Sequence, residues 1–89
     1  MDYAIVTVRI EQLDWQIDME LSTKTALKEL AGNIMETFKR YKEEDLENIT
    51  SLRIFYQGRE LNEEGNLAAY GIWDGSFIEM KIESLTRSR

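Results

Sequence analysis

The spacing of apolar residues changes once near the start of this chain and changes back later, and that switch limits its fold more than any other feature. Ala4, Val6, Val8 and Ile10 alternate with Tyr3, Ile5, Thr7 and Arg9. Trp15, Ile17, Met19 and Leu21 then alternate with Gln16, Asp18 and Glu20. A period of two belongs to a strand with one buried face. Separated only by Glu11 to Asp14, the two runs read as an antiparallel hairpin. Ser22, Thr23 and Thr25 then supply N-cap oxygens, and Leu27, Leu30, Ile34, Met35, Phe38 and Tyr41 follow at helical spacing along one stripe. Lys28, Glu29, Asn33, Glu36, Lys39 and Arg40 fill the opposite side. Gly32, inside the helix, costs ~1 kcal/mol relative to Ala and is read as a point of close approach to the sheet.

Beyond the helix, Lys42 to Ser51 is dense in charge and reads as a connecting loop or short helical turn anchored by Leu46 and Ile49. From Leu52 a strand runs into the tight turn Tyr56-Gln57-Gly58-Arg59. A short edge segment, Glu60 to Leu61, a polar loop, a turn at Leu67 to Tyr70, Ile72 and a last strand from Ser76 to Ile82 complete the chain. Strand, strand, helix, strand, short strand, strand is the order of an α+β domain whose mixed sheet lays one face on one helix. The helix serves as the crossover that lets the first and last strands lie parallel. Inward positions are then Val6, Val8, Ile10, Ile17, Met19, Leu21, Leu27, Leu30, Ile34, Phe38, Ile54, Tyr56, Leu61, Leu67, Ile72, Ile78, Met80 and Ile82. One domain over residues 1–84 with a flexible tail at 85–89 is the economical division.

Composition narrows the chemistry. With 89 residues, one two-layer core is the most the chain can build. Its 43% hydrophobic content argues against disorder. The absence of Cys and His removes thiolate catalysis, the commonest general base and the commonest metal ligands. Glu43, Glu44, Asp45 and Glu47 lack the alternating oxygens and central Gly of a calcium loop and read as a solvated run, as do Glu60, Glu63 and Glu64. No catalytic, cofactor or metal site is expected, and the chain is read as a non-enzyme. A net charge of −6 disfavours nucleic acid and anionic lipid, which leaves protein as the expected partner. There is no long apolar run, and the chain opens on a strand pattern, so a soluble cytoplasmic protein is expected.

The stretch LRIFYQGRELNEEGNLAAYGIWDGSFIEMKI, Leu52 to Ile82, resembles the second half of a ubiquitin-like domain position for position. IDMELSTKTALKEL, Ile17 to Leu30, resembles that family's second strand leading into a capped helix. Within Leu52 to Ile82, the run YGIWDGSFIEM, Tyr70 to Met80, is similar to the bacterial YukD/EsaB proteins associated with type VII (WXG-type) secretion systems. The resemblance implies a β-grasp fold and a role as a protein-protein interaction module accessory to such a system. Conjugation in this family needs a terminal Gly-Gly, where any side chain would collide with the activating enzyme. No Gly-Gly pair occurs anywhere in the sequence, so a non-conjugated protein is expected.

Ubiquitin-like domains meet partners through the solvent face of the sheet. That face should carry Ile5, Thr7 and Arg9, then Arg53 and Phe55, and finally Phe77, Glu79 and Lys81. The candidate protein-binding residues are Ile5, Arg9, Arg53, Phe55, Arg59 and Lys81, with Phe55 as an aromatic anchor and arginines at its margin. The bland reading, an ordinary mixed surface, stands beside it with equal weight. Trp15 is read as closing the open end of the core, and Trp73 as packing at a rim or meeting a partner. A monomer or weak dimer is expected. Self-assembly through the edge strand Trp15 to Leu21, or a generic intracellular adaptor unrelated to secretion, remain as alternatives.

Overall fold

Period-two runs at the start become two paired strands in the computed structural model, which describes residues 2–42 and 49–85. Strands β1 (Tyr3–Ile10) and β2 (Trp15–Ser22) pair antiparallel from Tyr3 opposite Ser22 to Ile10 opposite Trp15. A 3₁₀ turn at Glu11–Leu13 and a left-handed Asp14 (φ 50°) close the hairpin. Helix α1 (Leu27–Lys42) follows, then β3 (Ile49–Tyr56), β4 (Arg59–Glu60), a second 3₁₀ turn at Ala68–Tyr70, and β5 (Phe77–Leu85). The sheet order is β2-β1-β5-β3-β4, with β1 and β5 parallel and the other neighbours antiparallel. This is the expected α+β β-grasp architecture. Between β3 and β4, Gln57 (φ 52°) and Gly58 (φ 81°) are both left-handed, the backbone that a two-residue hairpin on right-twisted strands requires.

One sheet face closes on α1. Val6, Val8, Ile10, Leu27, Ile34, Phe38, Leu67, Ile72, Ile78 and Met80 are at most 1% exposed. Ile17, Met19 and Tyr56 point inward as expected but are only partly buried. Ile17 and Met19 lie on the edge strand β2, beyond the full cover of the helix. Trp15 is buried, and its ring meets Phe38 edge-on at a centroid distance of 4.8 Å, so it does close the end of the core. Leu13 packs against the same cluster.

Four expectations need correction. β3 begins at Ile49 rather than Leu52, because the β-branched pair Ile49-Thr50 continues the ladder, Ile49 lying opposite Leu85 and Ser51 opposite Ser84 across a bulge. β5 therefore also runs past Ile82. Leu27, the first residue of α1, follows Ala26 and not a Ser or Thr. Thr25 Oγ1 is spent on Ser22 Oγ (2.8 Å), and the first helical N–H groups donate instead to a distant loop: Leu27 N to Gly65 O (2.8 Å) and Lys28 N to Glu63 O (3.0 Å). Gly32 is not a close approach to the sheet. It is solvent-exposed, and a Cβ there would meet nothing within 4 Å. Gly65 is the crowded glycine, where a Cβ would lie 3.0 Å from Tyr70 Cε2 and 3.3 Å from Asn62 O. The side chains of Tyr41, Leu46 and Ile49, and the tail beyond Leu85, lie outside the described residues.

The β1/β5 ladder is completed by side chains. Direct pairing covers only Thr7 to Ile10 against Phe77 to Met80. At one end Ile5 N donates to Asp74 Oδ1 (2.7 Å) and Gly75 N to Ile5 O (2.9 Å). At the other, Gln12 donates from Nε2 to Ile82 O (2.9 Å), and Ile82 N donates to its Oε1 (2.6 Å). A single amide thus extends the parallel ladder past the point where β1 turns away.

Candidate interaction surface

The outer face of the sheet follows from register. Residues directly opposite one another share a face, so Glu20 lies beside Ile5, Asp18 beside Thr7, and Gln16 beside Arg9. Across the parallel pair, Thr7 matches Phe77 and Arg9 matches Glu79. Across the next, Glu79 matches Phe55 and Lys81 matches Arg53. Phe55 in turn faces Glu60 on β4. Each outward position expected from alternation is outward.

Around Phe55 these neighbours form a built cluster. Lys81 Nζ lies 4.8 Å and Arg53 Cζ 5.4 Å from the ring centroid, cation-π contacts that leave Phe55 only half exposed. Arg53 grips Glu60 with two hydrogen bonds, Nε to Oε2 (2.9 Å) and Nη2 to Oε1 (2.7 Å), the planar fork that Arg alone can offer a carboxylate. Those bonds, reinforced by the Arg53 charge, hold the Glu60 carboxyl below its ordinary range. The ion pair fixes one of the two cations over the ring, so the anchor is held in place before any partner arrives.

The six candidate residues do not form one patch. Arg53, Phe55 and Lys81 are together. Arg59 occupies β4 opposite Tyr56, one residue beyond Glu60. Arg9 is separated from Phe55 by Glu79 and engages the hairpin turn, bonding Gln16 Oε1 (3.5 Å) and pairing with Asp14 at 4.0 Å. Ile5 lies at the other end of the face, where Tyr3, Phe77 and Trp73 are also exposed. Sequence reasoning had set Phe77 outward but had not gathered it with Tyr3 and Ile5; the shared parity of β1 and β5 was the available signal.

The opposite layer holds an open groove of ≈ 760 Å³ between α1 and β3, whose apolar lining includes Leu27, Ala31, Leu52, Leu61 and Tyr70. Among the described residues no group of three or more His, Cys, Asp or Glu could hold a metal ion. No described helix is long and apolar enough to cross a membrane.

The family profile of YukD, a protein of the WXG100 protein secretion system, matches residues 3–80. The chain belongs to the YukD family. Among solved structures, the ubiquitin-like domain of the Mycobacterium tuberculosis type VII secretion system protein EccD1 is similar, with a TM-score of 0.71 at 15% identity, covering 91% of this chain and 99% of that one. The EccD5 ubiquitin-like domain from Mycobacterium xenopi gives 0.69 at 16% identity, with 97% and 100% covered. A plant example, the ubiquitin-like domain of an Arabidopsis thaliana protein, gives 0.70 at 22% identity, with 100% and 86% covered. These likenesses establish the ubiquitin-like fold of this YukD-family chain. Comparison with curated proteins finds no significant match.

Proposed function

We propose that this YukD-family chain is a non-conjugated ubiquitin-like protein that works in the cytoplasm as a protein-protein interaction module accessory to a type VII secretion system. The observation that carries the reading is the Phe55 cluster: an aromatic ring on the sheet face with Arg53 and Lys81 over it, Arg53 being held there by a bidentate ion pair. Pre-organised aromatic and Arg side chains are what binding hot spots are made of, because little ordering remains to be done on association. Arg9 and Arg59 stand at the margins of the proposed contact face, and Ile5 lies apart from it on β1. The type VII assignment is supported by the family match and by the fold shared with EccD domains.

A partner protein of the secretion machinery suits this face better than a second copy of the chain. The edge strand β2 presents Asp18 and Glu20, and antiparallel pairing of two such strands would bring like charges together. The test is export of a WXG100 protein by the host strain. Deleting the chain should abolish export, and Phe55→Ala should reduce it at an unchanged level of folded protein. Full export without the chain would overturn the secretion role; full export with Phe55→Ala alone would overturn the proposed contact.

A further inference from the structure

Four of the five exposed large apolar side chains among the described residues, Tyr3, Ile5, Trp73 and Phe77, have exposures of 43 to 56%; they gather around β1 and the turn before β5, and Phe77, diagonal to Phe55 across β5 and β3, is the member nearest the Phe55 cluster. Tyr3 and Ile5 share the outer face of β1 with Thr7, and Thr7 lies directly beside Phe77 on β5. Trp73 is tied into the adjoining turn by Ser76, whose Oγ accepts its N–H at 3.1 Å. We propose that this end of the sheet is a second docking site, centred on Ile5 and adjoining the Phe55 cluster at Phe77, for an amphipathic helix whose apolar stripe is bordered by Lys and Arg.

Helix rather than strand follows from the backbone. Ile5 N and O are bonded to Asp74 and Gly75, and Thr7 N to Ser76 O, so the patch offers side chains and no main-chain partners. A segment covering it must satisfy its own N–H and C=O groups, as a helix does. The patch is about two strands wide, roughly 10 Å at ~4.8 Å per strand, which matches one helix and is narrow for a stacked sheet. The basic border follows from charge. Glu20 lies opposite Ile5, Asp18 opposite Thr7, and Asp74 in the turn beneath, while the nearby cations Lys24 and Arg9 are already paired with Asp2 (3.4 Å) and Asp14 (4.0 Å). An apolar centre with a carboxylate rim selects a partner of opposite sign. The chain's own α1 does not qualify as occupant, because its apolar stripe is buried. The inference stands on this patch alone and does not depend on the secretion reading.

The experiment uses the whole protein with an 18-residue peptide of Leu and Lys at helical spacing, the same peptide with Glu for Lys, and a Leu/Lys peptide of scrambled order. Affinity is measured by calorimetry and the site by amide chemical shifts. The Leu/Lys helix should bind at least about tenfold more tightly than either control, with shifts centred on residues 3–7 and 73–77. Ile5→Thr with Phe77→Thr keeps every charge and the strand propensity, and should weaken binding about tenfold or more at an unchanged melting temperature. Phe55→Ala should weaken it less than the double variant does. Undiminished affinity in the double variant would mean charge attraction alone and overturn the site. So would equal binding of the Glu or scrambled peptide, or shifts centred on Phe55. Concentration-dependent shifts without peptide would assign the patch to a second copy, and binding to vesicles of phosphatidylcholine and phosphatidylglycerol would assign it to lipid; either result overturns the proposal.

Discussion

The two faces of this sheet are made from the same strands by the same alternation, yet they are held by different physics. On the inner face, apolar side chains meet α1 and shed water almost completely; Val6, Val8, Ile10 and Ile34 are fully buried. On the outer face none of the described side chains is fully buried, and order comes from pairing: Arg53 on Glu60, Lys81 on Phe55, Thr7 Oγ1 on Asp18 Oδ1 at 2.6 Å. Burial is non-directional and tolerates neighbours of many shapes, whereas a forked ion pair tolerates only one arrangement. The inner face therefore decides whether the chain folds, and the outer face decides what the folded chain presents.

That division is broken most forcefully from the inside. Ile34 is fully buried at the middle of α1 against the sheet. Ile34→Ala removes apolar contact and leaves a cavity that the surroundings refill only in part, so it should cost ~2 to 4 kcal/mol. In a domain with ~5 to 15 kcal/mol in all, urea denaturation should show a much lower midpoint. A loss below ~0.5 kcal/mol would contradict the burial of Ile34.

How much of each face was legible in the sequence follows from the same contrast. Parity along a strand is a property of neighbouring residues, so Val6, Val8 and Ile10 inward and Thr7 and Arg9 outward could be read directly. Phe55 outward was legible for that reason. Arg53 and Lys81 beside the ring were legible from the same alternation, and both lie over it; the Glu60 clamp was not, because it depends on the register between β3 and β4, which pattern alone does not supply. The helix start failed for a related reason. Local Ser and Thr looked like caps, but tertiary carbonyls at Glu63 and Gly65, more than 30 positions away, reached the N–H groups first. Gly32 misled because a helical glycine has both a packing and a neutral explanation, and only the empty space around it separates them.

Gln12 belongs to neither face, and so tests what joins them. It is itself exposed, yet its amide holds both backbone groups of Ile82, a residue only 8% exposed. Nothing in the pattern around Gln12 marks it, since a turn glutamine is ordinarily a solvated residue. Gln12→Ala should cost about 1 to 3 kcal/mol by leaving the Ile82 N–H and C=O unpaired in a part-buried site. Faster amide exchange at Ile82 than at Met80, whose pairing with Ile10 is unaffected, would locate the damage; unaltered stability would show that water replaces the amide at no cost.

The smallest expected effect is the most informative about the outer face. Glu60 is exposed, so losing its pair with Arg53 should leave the unfolding midpoint close to that of the parent protein. Its carboxyl titrates lower in the folded state than in the unfolded one. The folded state thus binds fewer protons, and whatever the pair contributes is complete above the unfolded value and lost as pH falls through the folded one. What should respond is Phe55. Acidification through that range, or Glu60→Gln at neutral pH, releases the Arg53 fork, and the Phe55 ring resonances should move toward those of a ring with one cation over it. The Lys81 contact, which does not involve Glu60, should persist. Ring resonances indifferent to both changes would show that Arg53 stays over Phe55 without its carboxylate, and that the anchor is set by the strand register alone.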